Sequence, residues 1–192
     1  MTKKYELVLD DTISFWGWKL FRIRALITFG SVEVGDLGGY IEKEENLSHD
    51  NNAWVSGDAK VWGNAKVSGN AKVWGDAKVW GNAKVSGDAK VSGDAKVWGN
   101  AKVSGDAKVS GDAEVSGDAE VRELGDIIVF KNHWSSGRHF TYTKSNKMWK
   151  AGCFYGTGQE LIEKAYRDSE NSGNHYKAYV DFVESLEKLD DQ

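Results

Sequence analysis

Ala59-Lys60-Val61-Trp62-Gly63-Asn64-Ala65-Lys66-Val67-Ser68-Gly69-Asn70-Ala71-Lys72-Val73-Trp74-Gly75-Asp76 is one six-residue phrase written three times. The phrase continues in register from Ala53 to Arg122, with Val at every sixth position from Val55 to Val121. A repeat this strict dictates the architecture of the middle of the chain. Ala-Lys-Val-Ser/Trp alternates small apolar with polar or bulky residues, the period-two mark of a short strand with one buried face. Gly followed by Asp or Asn then supplies a corner, because these residues tolerate positive φ and tight turns.

Gly-Asp and Gly-Asn also suit two-residue hairpins. The inward residues decide against them. Each phrase offers only Ala and Val to the core, so the enclosed space is narrow and uniform, as in a prism of short parallel strands. Three phrases, roughly 18 residues, then complete one turn of a hexapeptide solenoid. About four regular coils are expected, with open strand edges at both ends that the flanking segments must cover.

Sorting residues by eighteens gives three faces. The first carries Trp62, Trp80, Trp98 and Ser116 beside Lys60, Lys78, Lys96 and Glu114. The second carries Ser68, Ser86, Ser104 and Arg122, and the third Ser56, Trp74, Ser92 and Ser110. Asp58, Asp76, Asp94 and Asp112 form one corner column, and Asn64, Asn82, Asn100 and Asp118 another. The Trp ladder has three readings: a self-stiffening stack, an interface for self-association or a partner, or a stacking platform for a small ligand. Between Ala53 and Arg122 ten basic residues face nine acidic ones, which disfavours direct nucleic-acid binding.

The whole chain has 192 residues, a net charge of -4, a single cysteine (Cys153) and no proline. An intrachain disulfide is excluded, and the absence of a signal-like start or a long apolar run predicts a cytoplasmic protein with no membrane partner. Three units are expected: an N-terminal β cap with an irregular first coil over 1–52, the repeat over 53–122, and an α+β cap over 123–192. The first reads as strands over Tyr5–Leu9, Ile13–Trp16 and Leu20–Thr28, with Leu47 and Ala53 six apart at the start of the winding. The last reads as strands over Ile127–Lys131, His139–Thr143 and Met148–Phe154, then two helices. Thr157 with Glu160 forms a capping box for the first helix, to about Ser169. Asn174 is expected to cap the second, through about Leu189.

The pattern Val-x-Gly-(Asp/Asn)-Ala-x resembles the signature of left-handed parallel β-helices. Beyond the repeat, Phe21-Arg-Ile-Arg-Ala-Leu26 and the segment from Val34-Gly-Asp-Leu-Gly-Gly-Tyr40 to Ser48 resemble the entry of bacterial, phage and prophage hexapeptide-repeat proteins of the YdcK type. Asn132-His-Trp-Ser-Ser-Gly-Arg138 and the stretch from Asn146 to Thr157 are similar to the cap of phage-borne members. The resemblance implies the left hand and a bacterial host cell. Such proteins are often labelled acyltransferases or polymer-forming proteins by analogy, which gives fold rather than function.

Hexapeptide acyltransferases place a catalytic His on or near a protruding loop. No insertion breaks the register here, and the repeat contains no His. His49, His133, His139 and His175 lie in the flanks with no paired acid evident, and Cys153 beside Phe154 reads as a small packed hydrophobe. One carboxylate per coil beside Lys is a poor calcium cage. No catalytic residue, metal or cofactor is therefore expected.

The expected function is a non-enzymatic scaffold that forms a dimer or trimer and engages a host protein or ribonucleoprotein complex, with inhibition of a bacterial defence complex as one such role. An acyl-CoA-dependent acyltransferase is the alternative. The expected contact residues are Trp62, Trp74, Trp80, Trp98, Lys60, Lys78 and Lys96 on the coil, with Arg138 and Trp149 on the cap.

Overall fold

The structure, a computed structural model, describes residues 3–190. Strands β1 (Tyr5–Phe15) and β2 (Trp18–Ala25) form an antiparallel hairpin, and β3 (Leu37–Ile41) leads into twelve two-residue strands, β4 (Trp54–Val55) through β15 (Glu120–Val121). Each of the first nine, β4 to β12, pairs in parallel with the strand three further on, Val over Val: Val61 with Val79, Val79 with Val97, Val97 with Val115. Eighteen residues thus make one turn, as the spacing predicts. The inward Ala and Val residues are buried along the whole coil and form one continuous core.

The winding begins earlier than the regular phrase. Ile41 pairs with Val61 and Leu47 bridges to Val67, each across twenty residues, so the molecule has about five turns. Val55 returns to a spacing of eighteen with Val73. The expected six-residue step from Leu47 to Ala53 is thereby corrected. Leu47 occupies a Val position, and two extra residues in the following corner, where Asn51 takes a φ of 56°, delay the next one to Val55.

The corners explain the invariant glycine. At Gly87 φ is +66°, and an added Cβ would lie 2.9 Å from the amide nitrogen of Gly105 in the next coil. Only glycine permits both the left-handed backbone and the close stacking of corners.

Open edges are covered by side chains. At the N-terminal end Lys4 Nζ donates to the Ala53 carbonyl at 2.8 Å, Asn46 Nδ2 to that of Ala65 at 2.9 Å, and the Tyr5 hydroxyl to that of Leu47 at 2.7 Å. At the C-terminal end Thr141 Oγ1 accepts the Glu114 amide at 3.0 Å and Ser145 Oγ that of Glu120 at 2.8 Å. Each bond replaces the partner that a further coil would have supplied.

The C-terminal cap is a four-stranded antiparallel sheet, β16 (Ile127–Lys131), β17 (His139–Thr143), β18 (Met148–Ala151) and β19 (Phe154–Gly156), followed by α1 (Gly158–Asp168) and α2 (Glu170–Asp190). The single third strand expected over Met148–Phe154 is thus two, turning at Gly152, whose φ is +58°. Thr157 and Glu160 form the expected capping box. Asn174 does not start the second helix, because α2 begins at Glu170, two residues after α1 ends at Asp168, and Asn174 instead accepts the Tyr166 hydroxyl across the two helices at 2.8 Å. Among the described residues no helix is long and apolar enough to cross a membrane.

Candidate binding surfaces

The Trp ladder exists as a stack. Trp62 and Trp80 lie with ring centroids 5.1 Å apart and planes 3° from parallel, and Trp80 and Trp98 with 4.9 Å and 4°. Its surroundings differ from expectation. The β1–β2 hairpin folds over the N-terminal end, where Phe15 meets Trp62 edge-on and Trp16, held at φ 50° in the hairpin turn, meets both Trp62 and Trp80. Trp62 is only 3% exposed. At the other end the Lys150 ammonium stands over Trp98, 5.5 Å from its ring centroid. The ladder's ring faces cover one another, and the expected contact role of Trp62 is corrected: it is a packing residue. Stacking with a ligand would require an open ring face, but both faces of Trp80 are taken up within the stack and Trp62 is buried beneath the hairpin.

The lysines of this face are engaged too. Lys60 lies between the Phe15 and Tyr40 rings, and burial, followed by the neighbouring Lys78 charge, holds its pKa below the ordinary lysine value. Lys78 donates to the Asp76 carbonyl and Lys96 to Glu114 at 2.8 Å.

On the cap, Trp149 is 2% exposed and packs among Phe130, Phe140 and Tyr142. The expectation that it touches a partner is therefore corrected: it belongs to the cap's core. Arg138 is exposed and borders a cleft of about 720 Å³ between cap and coil, together with Lys78, Lys96 and His139. In that cleft His139 Nδ1 lies 2.9 Å from Asp112 Oδ2. Sequence reading finds no acid for His139 because the two residues belong to different units, joined only when β17 docks on the last coil; His49 also has a carboxylate nearby, Glu44 Oε2 at 3.7 Å from its Nε2.

The third face is different again. Its four rungs read Asn52-Trp54-Ser56, Asn70-Lys72-Trp74, Asp88-Lys90-Ser92 and Asp106-Lys108-Ser110, and they floor an open trough of about 1440 Å³. The Phe29–Val32 loop walls one end, and Glu123, Leu124 and Gly125 wall the other. Trp54 is covered by Phe29, edge-on at 5.4 Å, but Trp74 is 38% exposed, the highest value for any indole of the repeat, and among the described residues no aromatic ring packs against it. The two other lysine columns end in ion pairs, Lys96 with Glu114 and Lys102 with Glu120. The third column ends at Lys108, and none of Lys72, Lys90 and Lys108 makes an ion pair among the described residues. The signal for this was in the sequence. Lys gives way to Glu at positions 114 and 120, which terminate the first and second faces, and the third face has no such substitution.

No protein-family model and no curated protein matches the chain.

Proposed function

We propose that this protein is a non-enzymatic binding scaffold that holds a macromolecular partner in the trough of its third face. The exposed Trp74 beside three lysines without ion-pair partners among the described residues carries this reading, because a partly exposed indole in a walled concavity is the kind of side chain that anchors binding surfaces. The rigidity of a continuous core supports it. A partner meets a preformed surface and loses little affinity to ordering of the site.

The likeness to phage and prophage solenoids directs the search for that partner to the bacterial cell, including the host complexes that such proteins would inhibit. Self-association of copies is part of the same proposal, through the half-buried edges of Trp80 and Trp98. Light scattering on Trp98→Ala tests it, and an unchanged mass removes the ladder as an interface.

Affinity capture from bacterial lysate, run in parallel with wild type and with Trp74→Ala and Lys90→Glu, tests the trough. Wild type retains a specific component that both variants lose, while Lys84→Glu on the second face retains it. Equal capture by all four proteins overturns the reading.

One observation favours acyl transfer as a second reading. With Asp112 on Nδ1, the His139 imidazole is oriented with Nε2 left to act as a base, in a cleft bordered by Lys78, Lys96 and Arg138. Acyl-CoA turnover that disappears in His139→Ala would establish it, and an inert wild type would dismiss it.

A further inference from the structure

We infer that the occupant of the third-face trough is a neutral, linear glycan, an inference that rests on the trough being the binding surface. Size comes first. At about 1440 Å³ the trough exceeds the range of roughly 300–1,000 Å³ typical of small-ligand pockets, so it suits a segment of polymer. Its four rungs span about 14 Å at about 4.8 Å per rung. That length matches a run of a few sugar rings laid along the solenoid axis between the two walls.

The chemistry of the rungs narrows the polymer class. Each of the two central rungs sets an Asn or Asp acceptor beside a Lys donor, and Ser56, Ser92 and Ser110 add hydroxyls that do both. Ammonium groups only donate and carboxylates only accept, so a row offering both at every step suits ligands whose groups donate and accept at once. Sugar hydroxyls are such groups.

Charge then separates a glycan from a polyanion. Lys72, Lys90 and Lys108 are balanced in the trough by Asp88, Asp106 and Glu123. A phosphate backbone or an acidic peptide needs uncompensated positive charge and would meet three carboxylates here. A neutral chain meets none of that repulsion.

Trp74 supplies the remaining element. The ladder above and below it holds only Ser56 and Ser92, so no second indole competes for its ring. The electron-rich ring face attracts the weakly positive C–H face of a sugar ring, as it attracts other positive edges.

The test uses the full-length protein and a panel of neutral hexasaccharides (β-1,4-glucan, α-1,4-glucan, β-1,4-mannan and N-acetylglucosamine oligomers), with calorimetry and tryptophan fluorescence as readouts. Heparin, poly-glutamate and a single-stranded oligonucleotide serve as anionic comparators. Binding of at least one neutral chain is expected, weakened tenfold or more by Trp74→Ala and by the smaller change Asp88→Ala, and unchanged in Lys84→Ala. Circular dichroism on each variant establishes that it is folded. Binding confined to the anionic comparators, binding unaffected by both trough variants, or no binding by any neutral member overturns the inference. If glycans fail while lysate capture still depends on Trp74, the partner is a protein and only the glycan assignment is lost. If capture is also indifferent to Trp74, the trough itself is not the binding surface.

Discussion

Trp80 lies against Trp98 with planes 4° from parallel and centroids 4.9 Å apart, although eighteen residues separate them. The stack is a direct consequence of three six-residue phrases per turn, and it makes the period testable. Removing Gly63–Trp80, one full turn, should bring Trp62 onto Trp98. The exciton couplet of stacked indoles would then persist in circular dichroism and fall, on adding Trp98→Ala, to what the Trp16–Trp62 contact alone gives. Removing the twelve residues Gly81–Ser92 moves Trp98 to the second face instead, and there Trp98→Ala should leave the couplet of Trp62 and Trp80 unchanged. A couplet indifferent to Trp98 in the eighteen-residue deletion would contradict the geometry.

The corner glycines separate two costs that usually arrive together. Gly87 and Gly111 both hold positive φ, +66° and +62°, but an added Cβ at Gly87 meets the Gly105 backbone at 2.9 Å whereas at Gly111 it meets nothing within 4 Å. Gly111→Ala should lose only the left-handed backbone penalty, about 1–2 kcal/mol. Gly87→Ala should lose more, because the neighbouring atoms are backbone and must shift with their coil. Urea denaturation of the two variants measures the difference, and equal losses would mean that the coils are less closely stacked than described.

The repeat and its faces were legible because strict periodicity turns a linear text into columns. The Thr157 capping box was legible because it is local. Long-range docking was not. Nothing in Phe15-Trp16-Gly17 says that the hairpin tip will lie over Trp62, and nothing in His139 points to Asp112, since each contact depends on how an irregular flank sits on the coil. Trp149 differs from expectation for the same reason: α1 and α2 close over the sheet and bury it. The trough was half legible. Trp74 was singled out, but the end walls come from the Phe29–Val32 loop and the Glu123–Gly125 turn, whose positions the sequence pattern does not determine.

The seam between coil and cap depends on hydroxyls that stand in for a missing strand. Thr141 is 1% exposed and its Oγ1 accepts the Glu114 amide at 3.0 Å. Thr141→Val keeps the shape and removes the acceptor, so the amide is left buried and unpaired at a cost of about 1–3 kcal/mol. Ser145 does the same for Glu120 but is exposed, and water can replace it. Ser145→Ala should therefore cost less than about 0.5 kcal/mol. Chemical denaturation of the pair distinguishes capping from mere packing, and a neutral Thr141→Val would show that the edge amide finds another partner.

At the opposite end a lysine performs the capping, and its charge makes stability depend on pH. Lys4 is 1% exposed, with Nζ bonded to the Ala53 and Asn51 carbonyls, and burial lowers its pKa to about 8 against the opposing pull of Asp50. Unfolding restores the ordinary lysine value. Between the two values the unfolded chain binds more protons than the folded one, so this group's contribution to stability rises with pH from about 8 towards about 10.4, by on the order of 2–3 kcal/mol. Tyr5 acts in the opposite sense. Burial, followed by Glu44 and Glu45, raises its pKa, so the folded chain holds that proton longer and stability falls as pH passes about 10. Urea midpoints should therefore climb between pH 7.5 and 9.5 and turn over above about 10. In Lys4→Met the climb should shrink to the part that Lys60 contributes while the turnover remains, and a wild-type midpoint that stays flat from pH 7.5 to 9.5 would show that the ammonium is hydrated at the coil entrance.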